Sequence, residues 1–494
     1  MPLPVPNQEE NNTATPPTWA SQTKQAIISE LRKQRSVAAP LIPMNSTWFA
    51  RTAITTAFLG RLGELPLAAG TLGFTFANVT GFSVLSGLCW AMEPICGQAH
   101  GAHNKTLLNK TLFMTIILLL AASLPISFLW LYVDRILALF GQQKEIVTLA
   151  KHYVLFLLPD LIINSFLSPF KAYLSSQGVT LPIMLSSAIA LSLHVPFNIF
   201  LSKTKGLEGI SMAIGLTDLV AMTTLGIYIF VTNAGIEKGD GGEAEVLKEP
   251  WWRIRKASEW ARLLKLGGQC CATCCLEWWC YEILTLTAGW LPSARQSVSV
   301  LAIVLNFDYL LYGVMVSLAT CVSTRVSNEL GAGRHGPARE AGYVSLGLGI
   351  LSGLLGGSAM VGFRGNWGPL FTHEKVIIEG VKKMLMLMAI VEVFNFPIAV
   401  CGGMVRGTHR PWLGMYSVVG SYLVGLPLGI ILGFKFGLGL SGLLMGFVVG
   451  SFCSAIVLGV VVAHIDWEDE ASVAKELACD RRESGSVSEE INEG

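Results

Sequence analysis

Apolar segments of about 20 residues or more recur along almost the whole chain, and each is long enough for a helix to cross a hydrocarbon core of about 30 Å. Of the 494 residues, 52% are apolar and only 14% are charged, too few charges to solvate several globular domains. The pattern predicts an all-α membrane protein with about twelve transmembrane helices, at residues 38–60, 66–92, 107–131, 148–174, 182–201, 208–232, 263–288, 296–324, 338–362, 375–404, 410–433 and 437–463.

Polar stretches divide these helices into two groups of six. The predicted parts are a cytoplasmic N-terminal segment (1–36), an N-lobe (37–232), a cytoplasmic linker (233–262), a C-lobe (263–463) and a disordered cytoplasmic tail (464–494). An even number of helices places both termini on one side. The excess of Lys and Arg in the loops of that side predicts that it is the cytoplasm.

The N-terminal segment ends in a basic stretch, residues 25–35, in which apolar positions alternate with Lys and Arg. Such a stretch is typical of a short amphipathic helix on an anionic membrane surface. A solvated leader explains it equally well. The amphipathic residues 250–264 at the end of the linker show a similar pattern.

The two halves resemble each other at an offset of about 230 positions. Gly101-Ala102 is matched by Gly331-Ala332, and Gln177-Gly178 is matched by Arg406-Gly407. With six helices in each half, both halves start on the same side, so the repeats are parallel. Parallel repeats are related by a pseudo-two-fold axis normal to the membrane, and transporters built in this way bind substrate near the midplane.

Acidic side chains inside the apolar segments are the candidate functional residues, because an ionised acid at a helix centre costs roughly 2.5–3.5 kcal/mol. Glu277 and Glu282 share a segment with Trp278, Trp279 and Tyr281. Five positions turn a helix by roughly 140°, so the two glutamates cannot face one narrow site. One of them is expected at a transport cavity, with Glu277 favoured, because the neighbouring tryptophan rings are suited to an organic ligand. The alternative is that these acids only bond a neighbouring helix.

Three further acids lie inside predicted helices. Asp308 stands near Tyr309 and Tyr312, where it either lines the C-lobe cavity or makes a polar contact between helices. Asp218 is a further intramembrane acid in the sixth segment. Asp160 begins a polar run that is suited to satisfying backbone groups freed by a nearby proline.

Several functional classes are excluded by composition and motifs. A net charge of +1 and the lack of a basic stripe argue against nucleic-acid binding. Four of the eleven cysteines cluster at 270–275 in an apolar segment without histidine, which indicates buried thiols and no metal site. No nucleophile elbow, phosphate loop or zinc-protease motif occurs. We therefore expect neither an enzyme nor a cofactor.

The chain resembles the multidrug and toxic compound extrusion (MATE) transporters, and most of all their plant detoxification branch. The resemblance lies in residues 92–102 (MEPICGQAHGA), 276–282 (LEWWCYE), 323–333 (STRVSNELGAG) and 402–407 (GGMVRG). It implies a twelve-helix, two-lobed antiporter that exports organic solutes in exchange for protons or sodium. The resemblance to the plant branch also implies proton-coupling carboxylates on helices seven and ten of the C-lobe.

Carried over to this chain, the resemblance assigns the coupling role on helix seven to Glu277 and Glu282. Helix ten departs from the family pattern, because Asn395 stands where many relatives have an acid. Glu392, one turn earlier on the same helical face, is the candidate substitute. In helix one the chain has Arg51 and lacks the aspartate of bacterial relatives, so coupling is expected in the C-lobe.

The sequence thus favours a monomeric, proton-coupled exporter of small organic solutes in a lipid bilayer, at the plasma membrane in preference to vacuolar or endosomal membranes. Two alternatives remain. A lipid flippase would place cationic side chains in the central cavity. A regulatory membrane protein with secondary transport would use the linker or the tail to bind partners.

Overall fold

The computed structural model describes residues 19–140, 143–239, 257–408 and 410–479. All regular secondary structure in these ranges is helical, which confirms the all-α fold class. The long helices are α1 (Trp19–Leu62), α2 (Glu64–Gly101), α3 (Lys105–Leu131), α4 (Lys144–Leu155 and Leu158–Ser176), α5 (181–205), α6 (207–239), α7 (Ala257–Gly289), α8 (Ala294–Gly331), α9 (His335–Trp367), α10 (Lys375–Gly407), α11 (Pro411–Lys435), α12 (Gly439–Ala463) and α13 (Trp467–Cys479). A short helix, Val133–Leu139, lies between α3 and α4.

Twelve of these helices correspond to the twelve predicted segments. Eight described runs are long and apolar enough to cross a membrane, and the two pieces of α4, bent by 44°, make a ninth. One run, Leu181–Gly239, holds two helices, because Gly206 (φ 58°, ψ −127°) breaks it with a backbone conformation that favours glycine. With the more polar α1 and α7, the total is twelve.

Each half of the chain has its own apolar core. The first core is formed by α1 to α6 and the start of α7, around fully buried side chains such as Trp130, Tyr153 and Leu161. The second is formed by α7 to α12, around side chains such as Leu385 and Met388. The start of α7 thus packs into the N-lobe core. The helices that meet between the lobes are α1, α2 and α4 on one side and α7, α8, α9 and α10 on the other.

The N-terminal basic stretch is not a separate helix on the membrane surface, as its pattern suggests, but the beginning of α1. Its one buried acid, Glu30, accepts hydrogen bonds from Nε and Nη2 of Arg325 on α8, both at 3.0 Å. Gln34 donates to the backbone oxygen of Ala341 on α9 at 3.0 Å. These contacts hold the start of α1 against the C-lobe, while Arg32 and Arg35 stay exposed.

The segment after α12 is partly ordered, contrary to the predicted disordered tail. Helix α13 buries Trp467, Ala471, Ala474 and Ala478 on one face. This spacing of four, three and four residues forms the apolar stripe of an amphipathic helix, which the acidic residues around it obscure in the sequence. Residues 480–494 and most of the predicted linker, 240–256, lie outside the described ranges.

Helices α11 and α12 approach each other so closely that only glycine fits between them. A Cβ atom added to Gly446 would come closer than 3.0 Å to the backbone of Gly429. Gly459, on the same helix α12, has no neighbouring atom within 4 Å of the corresponding position. The two glycines therefore form a matched pair, one required by packing and one not.

We expect Gly446→Ala to lower the free energy of unfolding by about 1–3 kcal/mol, because the helices must separate to admit the methyl group. Gly459→Ala should leave stability unchanged or raise it by about 0.5–1 kcal/mol, since alanine favours a helix. Thermal unfolding of the detergent-solubilised protein measures both. Equal melting temperatures for the two variants would contradict the close packing of α11 and α12.

Candidate functional site

A cavity lies between the two lobes and encloses about 50 Å³. The N-lobe contributes Trp90 of α2 to its wall, and the C-lobe contributes Glu277 of α7, Tyr312 of α8 and Arg406 of α10. Its lining thus combines aromatic rings with one acidic and one basic side chain.

The basic side chain of this cavity forms an ion pair between the lobes. Nε of Arg406 donates to a carboxylate oxygen of Glu93 at 3.1 Å, and both side chains are largely buried. The guanidinium carbon of Arg406 lies 4.6 Å from the ring centroid of Trp90, a cation–π distance. Glu93 and Trp90 belong to α2 and Arg406 to α10, so these contacts join the two repeats.

A second, smaller cavity adjoins the first and shares Glu277 and Tyr312 with it. Its other lining residues are Trp278 and Tyr281 of α7 and Asp308 and Tyr309 of α8. The rings form an edge-to-face cluster, with centroids 5.4 Å apart for Trp278 and Tyr312. Trp48 of α1 extends the cluster, at 6.1 Å from Trp278 and 6.4 Å from Tyr309.

Two carboxyl groups meet behind this aromatic wall. Asp308 of α8 and Glu392 of α10 are 5% and 1% exposed, and their side chains lie within hydrogen-bonding distance of each other. Two ionised carboxylates would repel each other strongly at this distance, so the pair must hold at least one proton. Among the described residues, neither carboxyl group forms a salt bridge with Lys, Arg or His.

An amide connects the carboxyl pair to the aromatic wall. Nδ2 of Asn395 lies 3.0 Å from the hydroxyl oxygen of Tyr281 and 3.3 Å from a carboxyl oxygen of Glu392. The hydroxyl of Ser451 on α12 lies 3.5 Å from the amide oxygen of Asn395. Asn395 can donate to both partners, which fixes the orientation of the Glu392 carboxyl group.

The structure separates the residues suggested by the sequence into two sets. Eight lie at or directly behind the cavities, namely Glu277, Trp278, Tyr281, Asp308, Tyr309, Tyr312, Glu392 and Asn395. Glu282 and Trp279 line neither of the two cavities, and Trp279 is 41% exposed. Glu277 and Glu282 thus have different surroundings, as their five-residue spacing requires.

Three residues of the site were not predicted from the sequence. Trp48 gave no signal, because a lone tryptophan in an apolar segment is common. Glu93 and Arg406 lay in motifs that were noted only for their glycines. Opposite charges inside apolar helices of the two repeats were the signal that could have paired them.

In the N-lobe, Arg51 and Asp218 satisfy each other. The guanidinium group of Arg51 on α1 forms two hydrogen bonds to the carboxylate of Asp218 on α6, at 2.5 and 2.9 Å. Nδ2 of Asn164 lies 3.1 Å from Asp160 Oδ1 and 3.4 Å from Asp218 Oδ2. Asp218, for which the sequence indicated no partner, therefore belongs to a buried bidentate ion pair.

Removing one member of this ion pair should be costly. We expect Arg51→Met to lower the free energy of unfolding by about 3–5 kcal/mol, because Asp218 is left buried without its cation. The double variant Arg51→Met/Asp218→Asn should recover much of the loss in melting temperature. Arg61→Met, which removes an exposed arginine at the end of the same helix, is the control and should unfold like the unmodified protein.

The fold and this site together define a class of protein: a multi-pass membrane transporter with two helical lobes around a buried acidic and aromatic cavity. The MatE family model matches residues 40–200 and 270–431, one stretch in each lobe. The chain belongs to the MATE family of transporters, and no part of that assignment implies an enzyme.

Individual relatives agree with this family. Protein DETOXIFICATION 56 of Arabidopsis thaliana is 54% identical over 457 residues, which is 92% of each chain. Protein DETOXIFICATION 55 of the same plant is 36% identical over 463 residues, again 92% of each chain. The crystal structure of the eukaryotic MATE transporter AtDTX14 superimposes with a TM-score of 0.84 at 31% identity, covering 92% of this chain and 100% of that one.

Proposed function

We propose that this protein is a proton-coupled antiporter that exports small organic solutes, such as metabolites, hormones or xenobiotics, by alternating access. The observation that carries the proposal is the buried Asp308–Glu392 carboxyl pair, which has no cationic partner among the described residues and adjoins an aromatic cavity. Such a pair holds a proton while it is dry and can release it when the cavity opens to water.

Asp308 connects solute binding with proton binding, because it lines the aromatic cavity and also contacts Glu392. A solute that enters the cavity changes the hydration and the charge next to Asp308. Binding of the solute and retention of the proton therefore affect each other, which is the requirement for antiport. Glu277, which lines both cavities, is the second acid available to the solute.

Asn395 supports the pair without titrating. An amide at this position donates hydrogen bonds to Tyr281 and Glu392 but cannot carry an exchangeable proton in the way that a carboxyl group does. The proton-binding role that relatives give to this position on helix ten would thus move one turn, to Glu392, with Asp308 as its partner.

The aromatic wall favours solutes with a flat or cationic body. Trp48, Trp278 and Tyr312 present ring faces and edges that bind such groups through stacking and cation–π contacts. A site for an organic ligand typically occupies about 300–1,000 Å³, whereas the inter-lobe cavity encloses about 50 Å³. The lobes must therefore move apart to admit the solute, and the Glu93–Arg406 contact is one that this movement would break.

A lipid flippase is less well supported. Arg406 is the only Lys or Arg among the lining residues of the two cavities described here, and Glu93 already neutralises it. A lipid-linked phosphate would need a cationic cavity.

We also propose that the protein is a monomer in the plasma membrane and that both of its termini are cytoplasmic. These parts of the proposal rest on the sequence alone.

The energy available from one proton is sufficient for export. A pH difference of one unit supplies about 1.4 kcal/mol, and a membrane potential of 100 mV supplies about 2.3 kcal/mol per charge. Together they would sustain a gradient of a neutral solute of a few hundredfold. One exchangeable proton on the carboxyl pair therefore meets the requirement.

The test is solute transport by protein reconstituted in liposomes with an imposed pH gradient. We expect Glu392→Gln and Asp308→Asn each to reduce the pH-driven rate by at least about tenfold, a barrier change of about 1.4 kcal/mol, because neither amide can exchange a proton. Glu379→Gln, an exposed change on the same helix as Glu392, should transport normally.

Glu282→Gln tests whether the coupling acid is Glu282, as the sequence suggests, or the Asp308–Glu392 pair. Glu282 lies outside both cavities. The variant should keep most of the response to the pH gradient. Full pH-driven transport by Glu392→Gln, or transport by the unmodified protein that ignores the pH gradient, would show that the carboxyl pair is not the coupling site.

A further inference from the structure

Four cysteines on α7 play no part in the proposed transport chemistry. The sequence Cys270-Cys271-Ala272-Thr273-Cys274-Cys275 places thiols at positions i, i+1, i+4 and i+5 of a helix. Residues four apart lie one turn above each other, so the motif forms two neighbouring thiol pairs.

The pair formed by Cys271 and Cys275 is the more open one. Their sulfur atoms lie 3.9 Å apart, and Cys271 is partly exposed, whereas Cys270 and Cys274 are fully buried. The described residues contain no group of three or more His, Cys, Asp or Glu side chains placed to hold a metal ion. Zinc of the structural type is therefore a poor fit, and a ligand that needs two sulfur atoms is a good one.

The pair lies where the two lobes meet. Sγ of Cys275 is 3.9 Å from the hydroxyl oxygen of Ser83 on α2. One turn further along α2, a Cβ atom added to Gly87 would come closer than 3.0 Å to the Cα atom of Cys271. Helices α2 and α7 belong to different lobes, so a group attached to these sulfur atoms would stand between surfaces that alternating access must move.

We propose that Cys271 and Cys275 form a dithiol site for trivalent organoarsenicals, and that its occupation stops the movement of the lobes. An arsenoxide, R–As=O, condenses with two thiols. Two As–S bonds form, the arsenic–oxygen bond breaks, and the two thiol protons leave with the oxygen as water. The oxidation state of arsenic does not change, so the reaction needs no other reagent.

The observed separation suits such a centre. Trivalent arsenic is pyramidal, and its S–As–S angle is narrower than the tetrahedral angle. Its two sulfur atoms therefore lie somewhat closer together than the roughly 3.8 Å of a tetrahedral zinc–thiolate pair with bonds of about 2.3 Å. Rotation of the two side chains would bring the 3.9 Å pair to that separation. Thiolates also prefer soft, polarisable partners over the hard ions that carboxylates bind. Cys271 is partly exposed and Cys275 is buried, so the first As–S bond is expected to form at Cys271.

Phenylarsine oxide is the probe, applied to the purified full-length protein in lipid nanodiscs, with bound arsenic measured after washing. The unmodified protein should retain arsenic through a wash with a monothiol and release it to the dithiol 2,3-dimercaptopropanol. Cys271→Ser and Cys275→Ser should each weaken retention by roughly 100-fold, because the second bond of a chelate forms intramolecularly.

The other cysteines provide matched controls on the same chain. Cys270→Ser, Cys274→Ser and Cys453→Ser should all retain arsenic like the unmodified protein, and a melting temperature for each variant confirms that it is folded. Retention by Cys271→Ser, loss in Cys274→Ser, or no retention by the unmodified protein would each overturn the assignment of the site.

The effect on lobe movement rests on the proposed transport function and is measured separately. In proteoliposomes, phenylarsine oxide should abolish solute transport by the unmodified protein and spare Cys271→Ser, and 2,3-dimercaptopropanol should restore the rate. Unchanged transport at full arsenic occupancy would refute the blocking effect. If no solute transport is detected at all, the proposed function fails, while the binding experiment still decides the site.

Discussion

The high cost of leaving a charge unpaired in a hydrocarbon environment is the constraint on which this structure depends. Several buried charges in the described part of the chain are paired with an opposite charge on another helix. Arg51 binds Asp218 within the N-lobe, Arg406 binds Glu93 between the lobes, and Arg325 binds Glu30 at the beginning of α1. These contacts determine which helices lie next to each other, so the packing of the two bundles follows from the pairing of a few charges.

Some buried acids have no cationic partner among the described residues: Asp160 accepts a hydrogen bond from the amide of Asn164, and Asp308 and Glu392 face each other. They satisfy each other only if they share a proton, so their stability in the folded protein requires a titratable state. The same constraint that makes other charges structural is the basis for the proposed role of this pair in proton exchange. The family pattern points to helices seven and ten, whereas the proposed coupling uses helices eight and ten with Asn395 in a supporting role.

Much of the fold was predictable because hydrophobic length and loop charge are local properties. The twelve segments, their division into six and six and the parallel repeat all follow from the sequence and agree with the fold class. The two clear errors, the separate N-terminal helix and the disordered tail, concern polar helices. Their burial depends on distant partners, Arg325 for Glu30 and the end of α8 and the start of α9 for the apolar face of α13. A local pattern carries no information about such partners.

For the site, the sequence by itself indicated which residues are expensive in a membrane: Glu277, Asp308 and Glu392 among the acids, and Arg51 among the bases. Only the tertiary structure decided how they combine, because hydrophobic patterns place a residue along a helix but do not say which helix faces it. Ion pairing and proton sharing act over a few ångströms between helices that are far apart in the chain. Whether a buried acid is paired with a base or with another acid is therefore decided only when the lobes are assembled.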